Sequence, residues 1–315
     1  VGLSVGVVNH TDMLDKIRKL AIVSLFSDDD LMDLFVLKGG NAINIAYGIN
    51  DRSSMDLDFS MRQDFGEDYD LIKQKICNAI EQTFSDEGFK AFDIKLYPTP
   101  KVVREEYKDF WGGYTLEFKV IDEEHFNQLG GNVDDNVRRN AIVIGSNQEK
   151  KVTIDISKYE YVDTKQEVDI DGYTVYVYTP LMVIYEKLRA LCQQVEYYST
   201  HIVPTNRKRR ARDFFDIYSI LEKLPEIDIY NLDNLKIMIE IFKVKKVPLF
   251  LLEKLREDRE FHRESFHGVK DHVSAGYQLQ SFDFYFEKVI AIAENIVHIL
   301  KEANLYEQEE VKSGH

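Results

Sequence analysis

Hydrophobic and polar positions follow two rhythms along this chain, and the change from one to the other falls near residue 175. In the first part, FDIKLYP, GGYTLEFKVID, KVTIDISKY and YTVYVYT alternate every second residue. Their β-branched and aromatic residues, separated by Gly, Asp and Asn, predict strands of a sheet. TDMLDKIRKLAIVSLF and DYDLIKQKICNAIEQTF instead repeat apolar residues every third or fourth position, which predicts amphipathic helices, the first capped by Thr11 or Asp12. Thr179-Pro180 then signals a helix start, with Thr at the N-cap and Pro at the first helical position. Beyond it PLMVIYEKLRALCQQVEYY, ARDFFDIYSILEKL, LDNLKIMIEIF, LFLLEKLREDREF and FDFYFEKVIAIAENIVHILKEA all read as helix. The expected fold is α+β, a mixed sheet with flanking helices over residues 1–175 followed by a helical domain over 176–315. There is no repeat of fixed period, and RKRRAR is the one biased segment.

One strand pattern carries chemistry. In MDLDFSM, Met55, Leu57, Phe59 and Met61 face one way, and Asp56, Asp58 and Ser60 the other. Like charges held close disfavour each other's ionised form, so such a pair calls for a cation. Mg²⁺ fits, since it prefers oxygen ligands and commonly bridges one or two carboxylates to substrate phosphates. Two ions about 3.5–4 Å apart need a third acid. KVTIDISKY offers Asp155, alone on the polar face of its strand, and the three converge if the two strands are neighbours. Gly39-Gly40, between the apolar LFVL and the helical NAINIAYG, sit where a helix N-terminus opens. Glycine lets a backbone approach phosphate, the helix end presents free N–H groups, and Asn41 adds a side-chain donor. Arg52 and Ser53, just before the acidic strand, reach a nucleotide or brace the loop.

Gly-Gly and Asp-x-Asp are each weak signals alone. Gly112-Gly113 and Gly130-Gly131 are expected to be loop or hairpin turns, and Asp169 and Asp171 flank a hairpin turn at Asp171-Gly172. Only Gly39-Gly40 is followed, after one helix, by Asp-x-Asp on a strand with an apolar alternate face.

The chain has 315 residues, 44% of them hydrophobic and 12% aromatic, ample for packed cores, and a net charge of −15. That charge excludes broad, nonspecific adhesion to nucleic acid or anionic lipid, so any phosphate partner is met locally. A local site is on offer: five of the six residues from Arg207 to Arg212 (Arg207, Lys208, Arg209, Arg210 and Arg212) are basic and enter a helix, which suggests docking of an RNA backbone or else a solvated charge run. Cys77 and Cys192 form no CxxC, so a disulfide framework or zinc site is not expected and a reducing cytoplasm fits. No apolar run approaches a membrane span. His262, His267 and His272 recur every five residues, a spacing that does not gather metal ligands on a helix. Phe282, Phe284 and Phe286 are expected in a core or an interface.

GGNAINIAYGINDRSSMDLDF resembles the first motif of the nucleotidyltransferase superfamily, and LKGG, RSSMDLD, EKLRAL and RARDFFD in order over about residues 36–220 resemble the AbiEii-like toxins of type IV toxin–antitoxin pairs. Two positions depart from that pattern, Asn41 where Ser or Thr is usual and Arg212 where Lys is usual. The resemblance implies a nucleotidyltransferase-like catalytic domain whose Gly39, Gly40 and Asn41 cradle phosphate. Asp56 and Asp58 then hold Mg²⁺ or Mn²⁺, and Asp155 completes the metal site or accepts a proton. It further implies that Lys187 contacts the triphosphate of GTP or ATP with Asp213 in support, that RNA such as tRNA is the acceptor, and that an antitoxin is the partner. From spacing alone, Lys187 flanks an apolar stripe and is an ordinary exposed lysine, while Asp213 and Asp216 form surface pairs with Arg209 and Arg212 four residues earlier. The same first motif also serves antibiotic-modifying nucleotidyltransferases, non-catalytic nucleotide binders and transfer of a terminal phosphoryl group.

Overall fold

A computed structural model of the chain describes residues 10–48, 56–145, 148–270, 273 and 277–306. Helices α1 (His10–Ser24) and α2 (Asp29–Met32) lead into β1 (Val36–Lys38), α3 (Gly39–Tyr47) and β2 (Leu57–Ser60). Then follow α4 (Tyr69–Asp86), β3 (Phe89–Thr99), β4 (Gly113–Asp122), α5 (Glu123–Gln128), α6 (Asp135–Asn140), β5 (Lys151–Ser157), β6 (Gln166–Ile170) and β7 (Tyr173–Val177). The later elements are helices: α7 (Pro180–Cys192), α8 (Glu196–His201), α9 (Ala211–Lys223), α10 (Leu232–Lys243), α11 (Leu251–Lys254), α12 (Arg259–Arg263), α13 (His267–Lys270) and α14 (Phe282–Glu302). The fold is α+β, as the two rhythms predict. Thr179 caps α7 by accepting from the Met182 N–H at 3.2 Å, and Pro180 opens it.

The seven strands form one mixed sheet in the order β3-β4-β5-β2-β1-β7-β6. β2 and β5 run parallel in register, with Leu57 opposite Ile154, Asp58 opposite Asp155 and Phe59 opposite Ile156. Alternation then sorts the faces. Leu57, Phe59, Ile154 and Ile156 are buried with Ile17 and Ala21 of α1 and Ile76, Ile80 and Phe84 of α4, so the acids go to the other face. There α7 covers the sheet, and a second apolar cluster joins Val36 and Tyr178 to α7, α9, α10 and α14. Phe214 of α9 stands 5.6 Å from Phe282 and 5.2 Å from Phe286, one helical turn apart on α14, and both are buried. Each fully buried ring of this kind contributes about 1.5–3 kcal/mol. Phe284, on the flank, meets Tyr218 at 5.1 Å.

Asp171 and Gly172 take positive φ between β6 and β7, the hairpin turn expected of them. Gly112 lies in a loop, as expected, but Gly113 is not part of a turn. Gly113 starts β4 opposite Ser157, and a Cβ there would lie 2.1 Å from the Ile156 carbonyl oxygen. Glycine is demanded by a close approach of two backbones, which spacing along one strand cannot reveal. Gly113→Ala should therefore lower stability by about 1–3 kcal/mol in urea denaturation, as overpacking against a rigid wall does. Gly268→Ala in α13, where an added Cβ meets nothing within 4 Å, should be neutral or stabilising.

Candidate active site

The register of β2 and β5 brings Asp58 and Asp155 side by side, neighbours about 4.8 Å apart by strand spacing. Asp56, exposed, stands just before β2 on the same side. Lys38 at the end of β1 is in register with Asp58 on the other flank. The chain then turns at Gly39, whose left-handed φ of +70° favours glycine and where a Cβ would lie a tight 3.2 Å from Asp58 Oδ2. α3 begins here, with Lys38 as an N-cap that offers no side-chain hydrogen bond to the helix end. Gly39 and Gly40 line a cavity of about 630 Å³ together with Asn41, Asp56, Asp58 and Asp155. Arg52 and Ser53 lie outside the described residues.

Asn41 is buried, and its Nδ2 donates to the Asp56 carbonyl, so here it braces the acidic strand. Asp155 Oδ1 accepts from Thr115 Oγ1 at 2.8 Å, and Thr115 shares a 2.8 Å hydrogen bond with Thr99. Burial pushes the Asp58 carboxyl above the ordinary aspartate value, Lys38 pulls it partly back, and Glu186, Asp155 and Asp56 push it further up. An all-oxygen set in which one half-buried carboxylate is crowded by three others suits a hard divalent cation, which would remove that repulsion. Among the described residues, no three His, Cys, Asp or Glu side chains are already gathered into a ligand set. What the fold supplies is the shared face and register.

The opposite wall is helical. Lys187, 8% exposed, is no surface lysine: its Nζ donates to Asp213 Oδ1 and Asp216 Oδ2, both at 2.8 Å. Burial pulls the ammonium down, but the carboxylates of Asp213 and Asp216 more than offset it and hold it above its ordinary value. Asp213 is itself 5% exposed; burial raises its carboxyl, and Lys187 and Arg210 bring it well below the usual range. The expected pairing of Arg209 with Asp213 is not made. Arg210, three residues before Asp213, takes that place at 2.6 Å, and Arg209 pairs with Glu264 at 2.5 Å. Arg212 does reach Asp216, at 3.9 Å.

The basic run is thus tied down. Arg207 bonds the Gln194 carbonyl and Asp258 and lies 4.2 Å over the Phe261 ring, and it does not line the cavity. Lys208, Arg209, Arg210 and Arg212 do line it. The Arg210 N–H donates to Nδ1 of the buried His262 at 3.0 Å, so that histidine holds the strap in place. Burial brings its imidazole down to about 4, which keeps it neutral and able to accept.

Five charged residues that sequence spacing does not single out join the two walls. Glu160 is buried between Lys245 Nζ at 3.3 Å, Arg189 Nη2 at 3.4 Å and Lys38 Nζ at 3.7 Å. Burial raises its carboxyl, yet Arg189, Lys245 and Lys38 carry it down to about 2. Arg189 also pairs with Glu186 at 2.9 Å. Lys38 and Glu186 stand beside Gly39 and Lys187 and were open to notice. Glu160 and Lys245 carry no local signal.

A mixed sheet that sets a glycine turn and three acids on one face, under a basic helical wall, is of the nucleotidyltransferase class. The chain belongs to the family described as nucleotidyl transferase AbiEii toxin, type IV toxin–antitoxin system, whose pattern matches residues 21–288. No curated protein matches it. Among solved structures it is similar to a candidate nucleotidyltransferase from H. pylori, at 17% identity over 96% of this chain and 99% of that one with a TM-score of 0.46. It is also similar to JHP933 from Helicobacter pylori, at 16% identity over 96% and 97% with a TM-score of 0.45. A third is the nucleotidyltransferase toxin MenT4 from Mycobacterium tuberculosis, at 12% identity over 95% and 94% with a TM-score of 0.35. Likenesses of this size add nothing to the reading of the site. No described helix is long and apolar enough to cross a membrane.

The Glu160 centre yields a prediction. Glu160→Gln leaves Lys38, Arg189 and Lys245 facing one another and should cost about 3–5 kcal/mol at neutral pH in urea denaturation. Because the folded carboxyl lies below the ordinary 4.5, its contribution is full above that value. It is lost as pH falls through 4.5 toward about 2, so the advantage of the wild type should vanish over that window.

Proposed function

We propose that the chain transfers a nucleotide from an NTP, GTP or ATP, to a hydroxyl of an RNA acceptor such as tRNA, and that it acts as the toxin of a pair with a cognate antitoxin. The observation that supports this most is the parallel register of β2 and β5, which sets Asp58 abreast of Asp155 beside the left-handed turn at Gly39. The free amides at the start of α3 hold the triphosphate from one side. From the other comes the Lys187, Arg210 and Arg212 cluster, whose three positive charges outnumber the two of Asp213 and Asp216. These groups supply position, the larger part of catalysis in phosphoryl chemistry.

Asp56, Asp58 and Asp155 would hold Mg²⁺, or Mn²⁺ in its place. When bound, the ions supply charge stabilisation at the attacking and leaving oxygens. The acceptor oxygen forms its bond to the α-phosphorus while the bond to pyrophosphate breaks and pyrophosphate keeps the electron pair. The hydroxyl proton passes to Asp155, whose other oxygen Thr115 holds. Asn41 stands where a hydroxyl residue is usual and is already engaged with the Asp56 carbonyl, so the amide backbone carries the phosphate contact.

Incubation with each α-labelled NTP and total RNA should place label on RNA and release pyrophosphate. Asp56→Ala should fall by at least about 100-fold. Label on RNA with both proteins, or with neither, overturns the assignment, and label that moves only from the γ position makes the reaction a terminal phosphoryl transfer. A separate readout tests the acids themselves. Asp58→Asn should raise the unfolding midpoint in chelator, because it removes a crowded charge, and should abolish the midpoint gain that Mg²⁺ gives the wild type.

A further inference from the structure

The sheet order β4-β5-β2-β1 places the glycine turn after β1 on one side of the Asp58 and Asp155 pair and the start of β4 on the other. In-line displacement needs the attacking oxygen and the leaving group on opposite sides of the phosphorus. If the triphosphate lies toward Gly39 and Lys187, the acceptor enters over β4. The residue at that entrance is Trp111, the one tryptophan in the chain. It lines the same cavity as Asp155, Thr99 and Pro100, and it is half-buried where its neighbour Phe110 is packed away.

The backbone around Trp111 is fixed on both sides. Its N–H donates to the Tyr107 carbonyl at 2.9 Å, and the Phe110 carbonyl accepts from Lys245 Nζ at 3.3 Å. Gly112 follows at φ +104°, where a Cβ would press on Lys158 and Val103 at 3.2 and 3.3 Å, and Gly113 is pinned to Ile156. The Lys158 N–H closes this clasp by donating to the Gly112 carbonyl at 3.2 Å. The Trp111 side chain, partly buried, packs against the apolar cluster of the helical half. Lys208 and Arg209, the latter paired with Glu264, line the same cavity and bring cations to it for a phosphodiester backbone. An aromatic ring sharing a cavity with cations is the arrangement that receives single-stranded nucleic acid, since every base offers a π-face to stack.

We infer that Trp111 is the stacking platform for an unpaired base of the RNA acceptor, next to the nucleotide that receives the transfer. This rests on the transferase reading for the identity of the acceptor, and its test separates the two. The tryptophan emission of the wild type reports on residue 111 alone. A short single-stranded oligoribonucleotide should quench it, while an abasic oligonucleotide and each NTP with Mg²⁺ should not. Trp111→Ala should raise KM for the oligoribonucleotide about tenfold, as loss of one stacked base does, with KM for NTP and kcat unchanged, and Trp111→Phe should restore it.

Quenching by NTP but not by oligoribonucleotide overturns the proposal and makes this the seat of the donor base. No quenching by any RNA, while label still moves to RNA, overturns it and leaves the transferase reading standing. Quenching by oligoribonucleotide with no label transfer supports the platform and removes the transferase.

Discussion

The cleft is arranged around one crowded carboxylate, Asp58. Parallel pairing of β2 with β5 forces Asp58 beside Asp155, the turn at Gly39 seals one side of it, and Glu186 descends from α7 on the other. Left alone such a group would take up a proton or open the strand. Lys38 restrains it only partly, because its ammonium is shared with Ser157 and Glu160. The remaining repulsion is what the divalent cation of the proposed reaction would relieve.

The apolar core holds the crowding in place. Leu57, Phe59, Ile154 and Ile156 are fixed against α1 and α4, so a slip of one residue would turn all four to the cleft and both acids inward. The register is therefore set by the hydrophobic face, and the acids are carried on its reverse. This is why the first half was legible in the sequence. A period of two states which residues share a face, and a glycine after an apolar run states where a helix end opens. The positions of Asp56, Asp58, Asp155 and Gly39 follow from those two rules once the strands are neighbours.

What the sequence hid depends on contacts between distant segments. Lys187 flanks an apolar stripe on α7, and periodicity places it at the surface. α9 lies against it there and brings Asp213 and Asp216, so the lysine is covered by partners rather than by water. Glu160 and Lys245 are 85 residues apart and meet only after the helical half folds onto the sheet. Gly113 looks like a turn until Ile156 is seen against it. In each case the residue type was informative and its neighbour was not predictable. Burial of a charge cannot be read without knowing what arrives to pair it.

Those ion pairs also bear on how a chain of net charge −15 would meet the polyanionic acceptor proposed for it. The surrounding field repels a nucleic acid at a distance, so long-range steering does not select the substrate. The cations in the cleft are nearly all engaged with carboxylates in advance: Lys187 with Asp213 and Asp216, Arg210 with Asp213, Arg209 with Glu264, and Lys38 with Glu160. Pre-paired side chains lose little rotamer freedom when a phosphate approaches, and they do not attract one strongly until it is in contact. Recognition then falls to groups at short range, the amides after Gly39 and the unpaired donors of the ammonium and guanidinium groups. A cleft built this way favours a ligand that fits over one that is merely negative, which is the selectivity that a nucleotide-transferring toxin needs among the many phosphates around it.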